Sequence, residues 1–141
     1  MADIGLGLRT YLLTKSTVTA IIGTRIYPSN LPQNATLPAL VYDVFTGHPD
    51  DVLTGSSGSF TASVDVECIS LNHITSNDLA EQIRLVTQGY FGAMGDEQCN
   101  ACRLIGRVES YENPIDGSDQ GRHVVAISLE ITHTQTIPTY S

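Results

Sequence analysis

Apolar residues recur along this chain at two different spacings, and the switches between them mark out the elements. Ile4, Leu8, Tyr11 and Leu12 follow one another at helical intervals, forming the apolar stripe of a first helix. A short second turn is predicted after it, with Ser16 as cap, Val18, Ile21 and Ile22 apolar, and Gly23 as the stop. Residues 25–28 lead into a loop carrying Pro28, Pro32 and Pro38. Proline fixes φ and removes a donor, so this segment reads as extended but not as a central strand.

The spacing then changes to two. Residues 39–46 are β-rich, and 60–70 alternate cleanly. Phe60, Ala62, Val64, Val66 and Cys68 face one way, while Thr61, Ser63, Asp65 and Glu67 face the other. A strand with one wet face predicts an antiparallel sheet. The connection 47–58 is polar and glycine-rich, too long for a tight turn, and reads as a protruding mobile arm. Thr75 with Asp78 three residues on predicts the start of a helix whose stripe is Leu79, Ile83, Val86 and Tyr90, ended by Gly92 and Gly95. Two further strands are expected over 101–111 and 122–134, the last with Val125, Ile127, Leu129 and Ile131 inward. A second polar loop lies between them, and 135–141 read as a loose tail.

The expectation is one α+β domain over residues 1–141, in the order αββαββ. Two hairpins would form one mainly antiparallel four-stranded sheet with two helices on one face, which buries every apolar stripe. A chain of 141 residues suits a single core held without staples.

Charge narrows the function. Seven Lys and Arg face fifteen Asp and Glu, a formal net charge of −8, and Lys15 is the one lysine. Nucleic-acid binders gain affinity by neutralising phosphates, so tight or sequence-specific nucleic-acid binding is not expected. An anionic membrane is a poor partner for the same reason. No stretch reaches the eighteen apolar residues of a membrane span, and residues 1–5 do not look like the start of a signal peptide. Three cysteines do not form a disulfide framework, which fits synthesis in a reducing cytoplasm.

The sequence offers no catalytic, cofactor or metal site. Cys99 and Cys102 have one zinc-like spacing without a second pair, and read as a turn before a strand with a small buried residue. His48, His73, His123 and His133 are scattered, and His123 and His133 stand at opposite ends of one strand. Residues 5–7 precede a helix but follow no strand, so they are no phosphate loop. Asp50, Asp51, Asp116 and Asp119 do not fit a calcium-loop spacing.

The order of short motifs carries more. Residues 23–28 read Gly-Thr-Arg-Ile-Tyr-Pro, 31–33 read Leu-Pro-Gln, and 37–42 read Leu-Pro-Ala-Leu-Val-Tyr. Gly55 in the polar arm, Ala80 in the later helix and Arg-Val-Glu-Ser-Tyr at 107–111 follow. Over about residues 4–134 the chain resembles the tail completion or tail terminator proteins of long-tailed bacteriophages. The resemblance implies a structural virion protein and no enzymatic activity. It implies a ring, sixfold in the family, that caps the head-proximal end of the tail tube and stops its polymerisation. The implied partners are further copies of the chain, the tail tube protein and the head connector or head completion protein, with DNA passing through the channel. The alternatives are a tube or head-completion subunit, or else an enzyme or a small-ligand binding module. Within this picture the arm residues His48, Pro49, Asp50, Asp51, Val52 and Leu53 are expected to grip neighbours, because they sit on a polar loop. Asp50, Asp51, Asp116 and Asp119 are the candidates to face the channel, whose wall should be neutral or acidic.

Overall fold

A computed structural model of the chain describes residues 4–33, 35–52, 55–95, 97–112 and 121–134. Two helices, α1 (Ile4–Leu13) and α2 (Ser16–Ile22), precede the strands β1 (Ile26–Pro28), β2 (Ala39–Val52) and β3 (Gly55–Ser70). Helix α3 (His73–Thr87) follows, then β4 (Gly92–Met94), β5 (Glu97–Glu112) and β6 (Arg122–Thr134). The strands form one six-stranded sheet in the order β1-β2-β3-β6-β5-β4. Every neighbouring pair is antiparallel except β1 and β2, which run parallel.

The expected four-stranded antiparallel sheet with two helices is therefore corrected. The sheet is six-stranded, mixed and curled into a half-barrel, with three helices. The four long strands are β2, β3, β6 and β5. The two additional strands have three residues each, too short to show an alternation of their own. The second turn is a full helix of seven residues, and Ser16 is its first residue, with Lys15 before it in the capping position.

The arm is also redrawn. What reads as a loop at 47–58 belongs largely to β2 and β3, whose ladder continues to Asp51 opposite Ser56 and Val52 opposite Gly55. Register shifts between Phe45 and His48 and between Asp50 and Asp51 interrupt it. Pro49 fits here because β1 covers only residues 40–42 of β2, so this part of β2 is an edge strand, where a missing N–H is tolerated.

All three helices pack on one face. Ile4, Leu8, Tyr11 and Leu12 of α1, Val18 and Ile22 of α2, and Leu79, Ala80 and Ile83 of α3 meet one side of the sheet. That side presents Leu40, Val64, Val66, Cys68, Val125, Ile127, Leu129 and Ile131. Burying a side chain of this size contributes roughly 1.5–3 kcal/mol, so the helix-bearing side holds the stability of the domain. Helix α3 is capped by Asn72, whose side chain accepts from the Ile74 N–H at 2.8 Å, and not by Thr75. It ends at Thr87, ahead of Gly92. Ser76, fully buried, donates to the His123 carbonyl at 2.7 Å and ties α3 to β6. On α1, Gly7 lies so close to β4 that a Cβ would stand 2.4 Å from the Met94 carbonyl oxygen. Gly7 is thus a packing glycine.

Candidate assembly surface

Among the described residues, the other face of the sheet carries no helix. Residues directly opposite in a ladder point to the same side, so the register lays this face out in rows. One row runs Val41, Glu67, Ala126, Val108 across β2, β3, β6 and β5. The next runs Asp43, Asp65, Ser128, Gly106, and the third Phe45, Ser63, Glu130, Arg103. At one end Val41, Ile69 and Val124 are buried under Leu31 and Leu37 of the proline loop. Of the rest, Asp43, Ser63, Asp65, Glu67, Ser128 and Glu130 are half-buried, while Phe45, Arg103 and Val108 are exposed.

Three carboxylates stand together there. Asp43 and Asp65 are directly opposite, and Glu67 follows Asp65 on the same side of β3. Like charges in such positions repel. The Ser128 hydroxyl, 2.8 Å from an Asp65 carboxylate oxygen, relieves one of them. Burial, with Asp43, Glu112 and Asp65 adding to it, raises the pKa of Glu67 above the usual 4.5. On the third row Arg103 and Glu130 approach to 3.7 Å, a solvent-exposed pair of small energetic value. The bare face is therefore acidic in its middle rows.

The residues expected to act as an arm or to face a channel are distributed as follows. His48, Pro49, Asp50, Asp51 and Val52 all lie on the distal part of β2. Leu53, Asp116 and Asp119 lie outside the described residues. The strand ends that bracket 113–120, Glu112 and Arg122, pair with one another at the end of the sheet opposite to the β2–β3 turn. The carboxylates at the centre of the bare face are others: Asp43, Asp65 and Glu67. The signal for two of them was present in the alternation of β3, which sets Asp65 and Glu67 opposite the apolar residues.

The histidines are less scattered than their spacing suggests. His73 and His123 bring their rings within 5.6 Å edge-on, and Tyr111 lies 4.9 Å from His123. His73 also approaches Glu109 at 3.8 Å, while Arg107 reaches both Asn77 and Glu109. His133 is buried at the far end of β6. Cys99, expected in a turn before the strand, lies within β5, and Cys102 is a small buried residue of that strand as expected. A register shift between Cys99 and Ala101 lets both point into the core. Cys68, Cys99 and Cys102 are unpaired and buried, and burial raises the pKa of each, that of Cys102 to about 12. They are held as inert thiols. Among the described residues no three His, Cys, Asp or Glu side chains are grouped so as to hold a metal ion.

A family model described as "Tail completion protein gp17" matches residues 7–112. No curated protein matches the chain. A chain from a solved structure entitled "Virion of native gene transfer agent (GTA) particle" shares the fold with a TM-score of 0.61. The two are 10% identical, and the match covers 92% of this chain and 93% of that one.

Proposed function

We propose, from the premise that this chain belongs to the tail completion protein gp17 family, that it forms a closed ring ending the tail tube at its head-proximal side. Membership makes it a structural protein of the phage virion tail. In the proposed ring one rim stops tube polymerisation and the other docks the head connector or head completion protein.

The observation that carries this reading is the helix-free sheet face with Asp43, Asp65 and Glu67 in its middle rows. A single domain of this length has a radius of gyration near 14 Å and cannot encircle a duplex alone. Copies joined head-to-tail can, because a heterologous contact that closes gives a ring. Placed toward the axis, the acidic face forms a wall that repels phosphates, so DNA slides past without binding. Asp50 and Asp51 on β2, with Asp116 and Asp119, are proposed to add to the charge along the same path. His48, Pro49 and Val52 are proposed to touch a neighbour beyond the sheet, together with Leu53.

Electron microscopy of the purified protein, alone and added to polymerising tube protein, tests the reading. Rings of one layer, with six copies by mass, and tubes capped at one end are expected. Growth of the protein into filaments of its own would assign it to the tube instead. A protein that stays monomeric beside uncapped tubes would overturn the ring.

A further inference from the structure

The sheet has two open edges. On β2, strand β1 occupies the outer side only along residues 40–42, and no described strand pairs beyond it. On β5, strand β4 occupies residues 97–99, and the Gly89 N–H bonds the Cys102 carbonyl at 2.8 Å. From Arg103 onward no described strand pairs with that side. An open edge presents unpaired main-chain donors and acceptors and is a template for another strand. Each of these edges also exposes a large apolar side chain on the bare face: Phe45, 54% exposed, on β2, and Val108, 65% exposed, on β5.

We infer that neighbouring copies join by strand addition, the open edge of β5 pairing with the open edge of β2 of the next copy, with Phe45 opposite Val108. This rests on the ring reading above and specifies its contact. The occupant is a second copy because the molecule supplies both halves of the seam. Strands β2, β3, β6 and β5 alternate in direction, so β2 and β5 run oppositely. A rotation that carries one copy onto the next preserves direction, so the pairing is antiparallel.

The register follows from three constraints. Without stagger, Phe45 of the next copy would stand level with Arg103, because both align with Glu130 through Ser63. Its β2 would then run into the stretch of β5 that Gly89 and β4 already occupy. Side chains must also stay on their own face, since a shift of one residue reverses them, so the stagger is an even number of residues. A shift of four brings Phe45 level with Ala126 and Val108. Four residues of strand rise are about 14 Å, and four strand spacings per copy about 19 Å. The resulting tilt is about 35°, within the range of roughly 35–45° at which sheets close into barrels. The seam then matches residues 43–48 with 105–110.

The test is the pair Phe45→Cys and Val108→Cys in one chain, assembled, imaged and then oxidised. Residues directly opposite across a ladder have Cα atoms about 4.5–5.5 Å apart, a separation a disulfide spans. A ladder of covalent multimers up to the closed ring is expected on a denaturing gel. Phe45→Cys with Ala101→Cys, on the same face of β5 but far along it, should give none. Rings that form yet yield no ladder from the first pair overturn the seam and leave the ring reading intact. Absence of rings under microscopy, with and without tube protein, overturns both. A second variant, Val108→Asp, should raise the concentration needed for ring formation at least tenfold while the melting temperature of the monomer stays the same. Unchanged assembly by Val108→Asp would also count against the seam.

Discussion

The two faces of the sheet are built from the same four long strands and obey opposite rules. On the helix-bearing face Val64, Val66, Cys68, Ile127, Leu129 and Ile131 are fully or almost fully buried and meet three helices. On the bare face Ser63, Asp65, Glu67, Ser128 and Glu130 are half-buried and meet solvent and one another. One face spends its chemistry on packing, and the other carries charge that a lone domain does not need. Substitutions should therefore separate the faces by size and by sign.

The largest effect is expected in the core. Leu129→Ala removes a fully buried side chain at the centre of β6 and should cost about 2–5 kcal/mol in denaturant unfolding. A loss below 1 kcal/mol would mean that the helices do not press on this face as described. Next comes the contact between α1 and β4. Gly7→Ala places a Cβ 2.4 Å from a main-chain oxygen that cannot swing away. The overpacking should cost about 1–3 kcal/mol by the same measurement.

A smaller loss is expected for Ser76→Ala, which deletes the buried hydroxyl that donates to the His123 carbonyl. A net loss of about 1 kcal/mol follows from one hydrogen bond, and faster amide exchange at the start of α3 would locate it. The bare face should respond with the opposite sign. The raised pKa of Glu67 means that the folded state holds its proton more tightly than the unfolded chain does. Its charge therefore costs nothing below the ordinary value of 4.5, and the cost grows as pH rises through the folded value. Glu67→Gln should melt slightly above the wild type at pH 7, and the gap should close as the pH falls below 4.5. A variant that melts below the wild type at pH 7 would show that the carboxylates do not repel one another.

Much of this division was legible in the sequence wherever a pattern ran long enough. The alternation over 122–134 gives β6 at its observed bounds, and Val125, Ile127, Leu129 and Ile131 are its inward residues as expected. The family was legible too, because its motifs lie in order along the chain and the family match spans all of them. What escaped had physical reasons. Three-residue strands such as β1 and β4 complete no more than one period. The distal hairpin of β2 and β3 is rich in glycine, serine and aspartate, which normally mark loops, and its pairing comes from the register of the strands behind it. Asn72 and Thr75 are both able to cap, and only the chain's exit from β3 decides between them. The acidic centre of the bare face required Asp43 to be set beside Asp65, a pairing across two strands that no local spacing reveals.

The three buried thiols give the molecule an internal clock. A thiol sealed in the core reacts with a maleimide only during the moments when its surroundings open, so its labelling rate records how often they do. Cys68 sits on β3, with strands on both sides, while Cys99 and Cys102 sit on β5, next to the sheet's margin. Reagent should thus time whole-domain opening at the first and peeling of the margin at the other two. Comparing those rates in free and assembled protein would show whether assembly quiets the margin alone or the entire fold.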